Sequence, residues 1–444
     1  MIDTKLTPHS LALSHYLSEY QRAEKNCIDT PEKRLFALRQ AAIQHLSKRG
    51  FPNLKHPDWK YTSLIPFLQV PFTMAAPTTP TLENSIETAS SPYRLVFING
   101  FFSHSLSKTS ALPNNARLTH LANIITHHPE CLSKQWPLST HHEKNSFIQL
   151  NTAFMHDGAY VYIPKNTQLT SPIELLFITT NDNHFTPIRN IIIAEKNSRA
   201  VIIEKYISLN TLTAPCFNNT VSECFLAEES CVEHYKLIDE NKKTIHIGNI
   251  LVEQQAKSEF SAYSIALQGA LIRSDISLKL CQAKARCHLK GLYSAQGKQH
   301  IAQQTIIDHA SPDTHSTEFY KGIIDGHARA VFDGKLIVRE KAIKSSAQQL
   351  NKNLLLSAAA EVITKPQLEI FADDIFCTHG ASIGQLDETA LFYLRARGLT
   401  ETNARSILIK AFIRDILQQM PLLNTYSFLS HSLKKLLAID YETI

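Results

Sequence analysis

From Tyr160 to Ile383 the sequence is a succession of short β-branched or alternating apolar runs, with no segment of helical spacing between them. Examples are Tyr160-Val161-Tyr162-Ile163, Ile191-Ile192-Ile193 and Ala200-Val201-Ile202-Ile203. A stretch this long made only of strands has few ways to bury its apolar faces. An imperfect repeat narrows the choice. A small or polar residue precedes an apolar one at Ala200-Val201, Cys231-Val232, Glu259-Phe260, Cys287-His288, Ala330-Val331 and Glu361-Val362, and successive starts differ by 31, 28, 28, 43 and 31. His288 stands where an apolar residue is expected, and the step of 43 requires an insertion. A strand-only repeat of about 30 residues is the pattern of a solenoid whose coils bury their inner faces against one another. The competing β-sandwich needs a turn signal every roughly 8–12 residues. The whole chain holds only 13 Gly, so its turns are not the usual glycine-rich hairpins. The core is read as a parallel β-helix.

The flanks differ. Leu13, Tyr16, Leu17 and Tyr20 follow helical spacing. A second helix carries Leu35, Leu38, Ala42 and Leu46, with Thr30 as N-cap, Pro31 at its first position and Gly50 past its end. Residues 1–74 are thus an N-terminal helical region. Thr, Pro, Ser and Ala dominate from Ala75 to Pro92, so 75–159 reads as a loop followed by a mixed α/β segment. The β-helix fills 160–384. In 385–444 Asp387 caps a helix carrying Leu391, Phe392, Leu394 and Ala396, closed by Gly398; Thr400 opens another carrying Ile407, Leu408, Ala411, Phe412 and Ile416. A solenoid end exposes unpaired backbone, so these helices are expected to cover one end of the stack.

Composition excludes several functions. Of 444 residues, 43% are hydrophobic and 19% charged, enough apolar material for a core and too little charge for a disordered chain. The net charge of +5 is scattered, which does not point to nucleic acid. No apolar run approaches the roughly 20 residues of a membrane span, and Met1-Ile2-Asp3-Thr4-Lys5 does not begin a secretory leader. Eight Cys at 27, 131, 216, 224, 231, 281, 287 and 377 form no C-x-x-C pair, which fits a reducing cytoplasm. No G-x-x-x-x-G-K-[ST] phosphate loop occurs.

The sharpest chemical feature is Cys377-Thr378-His379-Gly380 after Ala372-Asp373-Asp374. On a strand, residues two apart share a face, so the Cys377 thiol and the His379 imidazole project side by side. Sulfur beside imidazole nitrogen suits iron, zinc or copper. Two donors are half a site, and the alternative is a buried thiol beside a turn-bonding histidine. No third group marks the pair as a nucleophile. Gln348-Gln349-Leu350-Asn351-Lys352-Asn353 reads as an amide ladder inside the β-helix. Asp308, His309, His315, Lys321, Asp325, Arg329 and Asp333 resemble the carboxylate chemistry of β-helix polysaccharide enzymes, but nothing sets two carboxylates at acid–base distance.

Nearly a hundred residues in order resemble the SufB/SufD family of iron–sulfur cluster assembly proteins. They run from Lys321-Gly322 through Asp325-Gly326-His327-Ala328, Phe332-Asp333-Gly334-Lys335, Asn353-Leu354-Leu355-Leu356-Ser357 and Thr364-Lys365-Pro366-Gln367-Leu368-Glu369. Cys377-Thr378-His379-Gly380-Ala381, Gly384-Gln385-Leu386-Asp387 and Leu391 to Gly398 complete them, and Glu233-His234-Tyr235-Lys236-Leu237 extends the likeness. Trp59-Lys60-Tyr61-Thr62 and the chain length are similar to the SufD branch. Phe376 and Thr378 depart mildly from the commonest motif.

The resemblance implies a right-handed parallel β-helix with helical ends, acting as a scaffold and not as an enzyme. It implies a SufB partner bound through the β-helix and the ATPase SufC bound at the C-terminal helices. A transient iron–sulfur cluster would form between SufB and this chain, with His379 as metal ligand and Cys377 beside it. The resemblance also allows a reduced flavin in the complex and a homodimer of the isolated chain. The alternatives are a β-helix enzyme acting on carbohydrate, and the paralogue SufB itself.

Overall fold

The computed structural model describes residues 7–26, 33–77, 91–109, 112–132, 144–209 and 212–424. Thr30, Pro31, Cys27, most of the Ala75–Pro92 loop and the chain beyond 424 lie outside the described residues.

From Ala159 to Gln385 the described residues form strands and turns without a helix, and the chain is mainly β. Successive strands alternate between two sheets, a first that starts its parallel run at Ala159–Ile163 and a second that contains Ile173–Thr179, and pair in parallel with the strand of the next coil. Register partners are one coil apart along the chain, Ile245 with Leu271 marking a short coil and Arg199 with Cys231 a long one. The expected insertion does not exist. Ala200, Cys231, Glu259 and Cys287 lie in one sheet, whereas Ala330 and Glu361 lie in the other, so the irregular step is a change of sheet. Each coil contributes one strand to each sheet, and a single repeat file had mixed the two. His288 then has a simple place. Cys287 takes the inward position, and His288 faces out with Nδ1 2.7 Å from Thr317 Oγ1.

The low glycine content is explained at the turns. Those leading from the first sheet to the second place Asn166, Asn197, Glu229, Lys257, Lys284, Asp313 and Lys344 at positive φ, near +60°. Such a conformation costs a non-glycine residue on the order of 1–3 kcal/mol. Here each of these residues donates its backbone N–H to a carbonyl of the next coil's turn, as Glu229 does to Ala256 O and Lys257 to Ala283 O. The coil-to-coil ladder offsets the local cost, so glycine is not required.

Helix α1 (Pro8–Asn26) and α2 (Lys33–Arg49) follow the expected faces: Tyr16, Tyr20, Leu35, Ala42 and Leu46 are buried. Gly50, at φ +71°, closes α2 through its N–H to Leu46 O. Together with α3 (Ile65–Leu68) they pack on the outer face of the first sheet, through Phe67, Phe72, Phe147, Phe185 and Phe217. Trp59 is sandwiched there, with the Arg273 guanidinium 3.9 Å above its ring. The mixed segment contains α4 (Leu121–His127) and α5 (Ser146–Phe154). Its strand Tyr93–Ile98 pairs in parallel with Ile173–Thr179 and so extends the second sheet.

The C-terminal helices α6 (Glu388–Ala396) and α7 (Glu401–Gln418) are capped by Asp387 and Thr400, as expected. They do not cover the end of the stack. Ile409, Ile413, Ile416 and Met420 bury against Tyr235, Tyr263, Leu292 and Ile323 on the outer flank of the second sheet. Of the expected face Ile416 is buried, whereas Ile407 is 42% exposed and Ile409 and Ile413 carry the contact in its place. Lys321 pins α7 by donating to Phe412 O and, at 2.6 Å, to Asp415 Oδ1. Among the described residues nothing covers the C-terminal edge of the solenoid.

Candidate metal centre

The last strand, Ile375–Gln385, lies at the edge of the second sheet and, among the described residues, pairs only with Ser345–Leu355. Parallel register puts Cys377 beside Ala347 and His379 beside Gln349, and Ala347 and Gln349 lie beside Ser316 and Glu318 one coil deeper. Partners in register share a face, and Ala347 belongs to the interior core. Cys377 and His379 therefore both face the solenoid interior at its open mouth. This is the side-by-side projection read from the sequence.

The two donors differ in burial. Cys377 packs against the core, and burial pushes its thiol pKa up, opposed by a hydrogen bond from the Ala347 backbone. A thiol so held is neutral until a metal or a cationic neighbour stabilises the thiolate. His379 is exposed, and neither ring nitrogen has a hydrogen-bond partner among the described residues. Among the described residues no three His, Cys, Asp or Glu side chains converge on a common point. The chain therefore presents a pair of donors and lacks the remainder of a coordination sphere. Around the mouth Phe371 and Phe376 are 60% and 59% exposed, and Ile370 and Ile383, in register with Val338 and Asn353, are exposed on its inner side.

Beneath His379 the interior is polar. Gln349 Nε2 donates to Glu318 Oε2 at 2.6 Å, and Glu318 is enclosed. Burial pushes its carboxyl up to about 7, against the lowering effect of the Gln349 bond. Asn351 and Asn353, with Gln349 the inward half of the amide run, bond to each other and to Tyr293 OH. Gly322 makes that bridge possible: a Cβ there would sit 2.2 Å from the Tyr293 ring. The amide run is thus an interior network made along one strand and across two coils, not a stack of like side chains.

The other candidates have structural roles. His309 is buried between Thr314 Oγ1 and Ser316 Oγ at 2.8 and 2.9 Å, and burial pushes it down to about 4. His315 bonds Ser346 Oγ. Asp308 pairs with Arg339, Asp333 with Lys365 and Gln367, and Arg329 with Glu361. Asp325 bonds the Gly326 N–H. Each carboxylate has its own partner, and no acid–base couple forms. Missed in the sequence was a second interior cluster of Glu204, His234, Lys236, Glu240 and His246, all buried. Burial works to raise the Glu204 carboxyl, but His234, Lys236 and Ser222 hold it at about 2. The signal was present in Glu233-His234-Tyr235-Lys236, where His and Lys occupy alternate inward positions.

The seven described cysteines are free, and no helix among the described residues is long and apolar enough to cross a membrane.

Comparison with known proteins agrees along most of the chain. Residues 12–175 match the SufBD protein N-terminal region, and 177–412 match the family described as SUF system FeS cluster assembly, SufBD core domain. An iron–sulfur cluster assembly SufBD family protein of Synechocystis is 35% identical over 406 residues, covering 88% of this chain and 89% of that one. The iron–sulfur cluster assembly protein SufD of Escherichia coli is 28% identical over 390 residues, covering 86% and 88%. Protein ABCI7, chloroplastic, of Arabidopsis thaliana is 26% identical, covering 86% and 82%. With two parallel sheets wound into one solenoid and both family regions matched in order, the chain belongs to the SufB/SufD family of the SUF iron–sulfur cluster assembly system.

Proposed function

We propose that this chain is a cytoplasmic scaffold subunit that supplies half of a cluster-building site at its open solenoid end. The observation that carries it is the Cys377–His379 pair, interior-facing on an unpaired edge strand inside a ring of exposed apolar side chains. An edge of this kind pairs with another chain unless blocked, and nothing among the described residues blocks it. The occupant is a SufB-type partner, whose donors complete the coordination of a nascent iron–sulfur cluster with His379. Imidazole suits iron, and Cys377 is the softer donor waiting for a metal to draw off its proton. SufC, supplying ATP hydrolysis, docks at α6, where Phe392 and Tyr393 are 74% and 56% exposed.

The test is co-expression with SufB and SufC and analysis of iron and sulfide in the purified complex. His379→Ala removes an exposed imidazole, so stability should change by about 1 kcal/mol or less. The complex should form while cluster yield falls several-fold. Cys377→Ala should reduce it less, and His315→Ala not at all. A His379→Ala complex that builds clusters as well as wild type would falsify the shared site. For SufC, Phe392→Asp with Tyr393→Ser is the sharper variant. Deleting 400–444 would uncover the flank that α7 covers, whereas the α6 surface change leaves it packed and should still abolish co-purification.

A further inference from the structure

A cleft of about 570 Å³ lies between the segment joining α2 to Trp59, the N-terminus of α5 and the outer face of the first sheet. It is remote in the sequence from the open mouth, and the proposed function does not use it. That volume is within the range of small-molecule sites.

The wall carries a buried donor whose orientation is fixed by its neighbours. Asn145 caps α5, its Oδ1 accepting from the Phe147 and Ile148 N–H groups. Only its Nδ2 remains to donate, and it does so to Asn249 Oδ1 at 3.0 Å. The Asn249 amide therefore cannot be reversed, and its Nδ2 is left without a partner among the described residues although the residue is 2% exposed. The cleft itself is many times the roughly 30 Å³ of a water.

The charges at the mouth favour one sign. Arg49, Lys55 and Lys144 line the cleft, are exposed, and have no hydrogen-bond or ion-pair partner among the described residues. Two acids also line it. Asp275 is bound to Arg273, whose remaining donors go to Asp58 O and Gln304 Oε1, so this pair is internally neutralised. Asp58 is the one other acid of the lining, half-exposed and 3.9 Å from His56. Neither face of Trp59 is free for stacking, since Arg273 covers one and Phe147 leans on the ring at 5.1 Å.

We propose that this cleft binds a small polyanion, a molecule bearing two or more phosphate or carboxylate oxygens. Its charge is met by Arg49, Lys55 and Lys144 at the mouth. Because the cleft is shared by the N-terminal region and the solenoid, a ligand there also clamps the two together.

Calorimetric titration of the full chain with inorganic pyrophosphate and, separately, with citrate tests this, alongside thermal melts. Saturable binding that weakens with salt and raises the melting temperature is expected. Pyrophosphate alone would define a phosphate site, citrate alone a carboxylate site, and both a general polyanion site. Lys55→Ala with Lys144→Ala, both on the surface, should weaken binding at least about tenfold, consistent with charge-assisted hydrogen bonds. Asn249→Asp should weaken it as well, by placing a carboxylate in the wall of the cleft. Lys196→Ala with Lys257→Ala, whose ammonium groups pair with Glu228 and Glu229 on the solenoid turns, should bind as wild type. The proposal is overturned if neither anion binds saturably at millimolar concentration, if the Lys55 and Lys144 pair can be removed without effect, or if the turn lysines matter equally.

Discussion

The two ends of the solenoid solve the same edge problem in opposite ways. At the N-terminal end the sheets finish in short antiparallel strands, Arg117–His120 against Ala159–Ile163, and Phe101–Phe102 and Lys108–Thr109 against Tyr93–Ile98. Asp157 ties this cap, accepting from the Phe102, Ala122 and Gly158 N–H groups and bonding His120. Inside it, Phe97, Phe177 and Tyr206 stack coil upon coil at 5.0 and 4.7 Å. At the C-terminal end an 11-residue strand has no further strand or cap on its outer edge among the described residues, and exposed Phe and Ile surround it. Sheet edges without a cap are liabilities that chains normally blunt. Under the function proposed above, this long, apolar edge beside Cys377 and His379 is the end that a partner covers.

The contrast fails first if large aromatic deletions act alike at both ends. Phe97→Ala should cost about 3–5 kcal/mol, as a cavity in a packed core does. Phe376→Ala should change stability by about 0.5 kcal/mol or less, being exposed. Urea unfolding of both variants checks this; equal losses would mean that the open rim is packed in the isolated chain. Asp157→Ala comes next, at roughly 2–3 kcal/mol, because it strands buried backbone donors. Its unfolding midpoint should fall while SufB binding by the surviving fold is kept. A triple change at the rim, Phe371→Asp, Phe376→Asp and Ile383→Asp, should do the reverse, abolishing pairing in size-exclusion runs with little change in melting temperature.

A pH-dependent effect probes the interior beneath the mouth. Glu318 has a raised folded-state pKa, about 7 against the ordinary 4.5. Its protonated form is therefore the stabilising one: the contribution is complete below the unfolded value and is lost as pH rises through 7. Glu318→Gln should remove this slope, gaining on the order of 3 kcal/mol over wild type at about pH 8 and little near pH 4. His309 works in the opposite direction, its stabilising neutral form being lost only as pH falls towards 4, so the alkaline difference isolates Glu318. Parallel pH–stability curves for the two proteins would count against an enclosed carboxyl. Smallest of all, Lys196→Ala removes an exposed pair with Glu228 and should change stability by about 0.5 kcal/mol or less by urea unfolding.

Legible from the residues alone is whatever depends on spacing along one strand or helix. The strand-only core, the amphipathic faces of Tyr16 and Leu46, the caps at Asp387 and Thr400, and the shared face of Cys377 and His379 all follow from the strand and helix periods. The coil-length repeat was legible as well. Its assignment to two alternating sheets was not, because strands of both sheets follow the same alternation and only pairing separates Cys287 from Ala330. Packing, not spacing, places α7 along a flank and leaves the edge bare, since an apolar stripe tells that a helix is buried and not what buries it. Packing also selects which polar residues are enclosed. Glu318 and Asn249 look like any solvated side chain in the sequence, and only the coils stacked above and below them remove the water and give a carboxyl near neutrality or a donor without a partner.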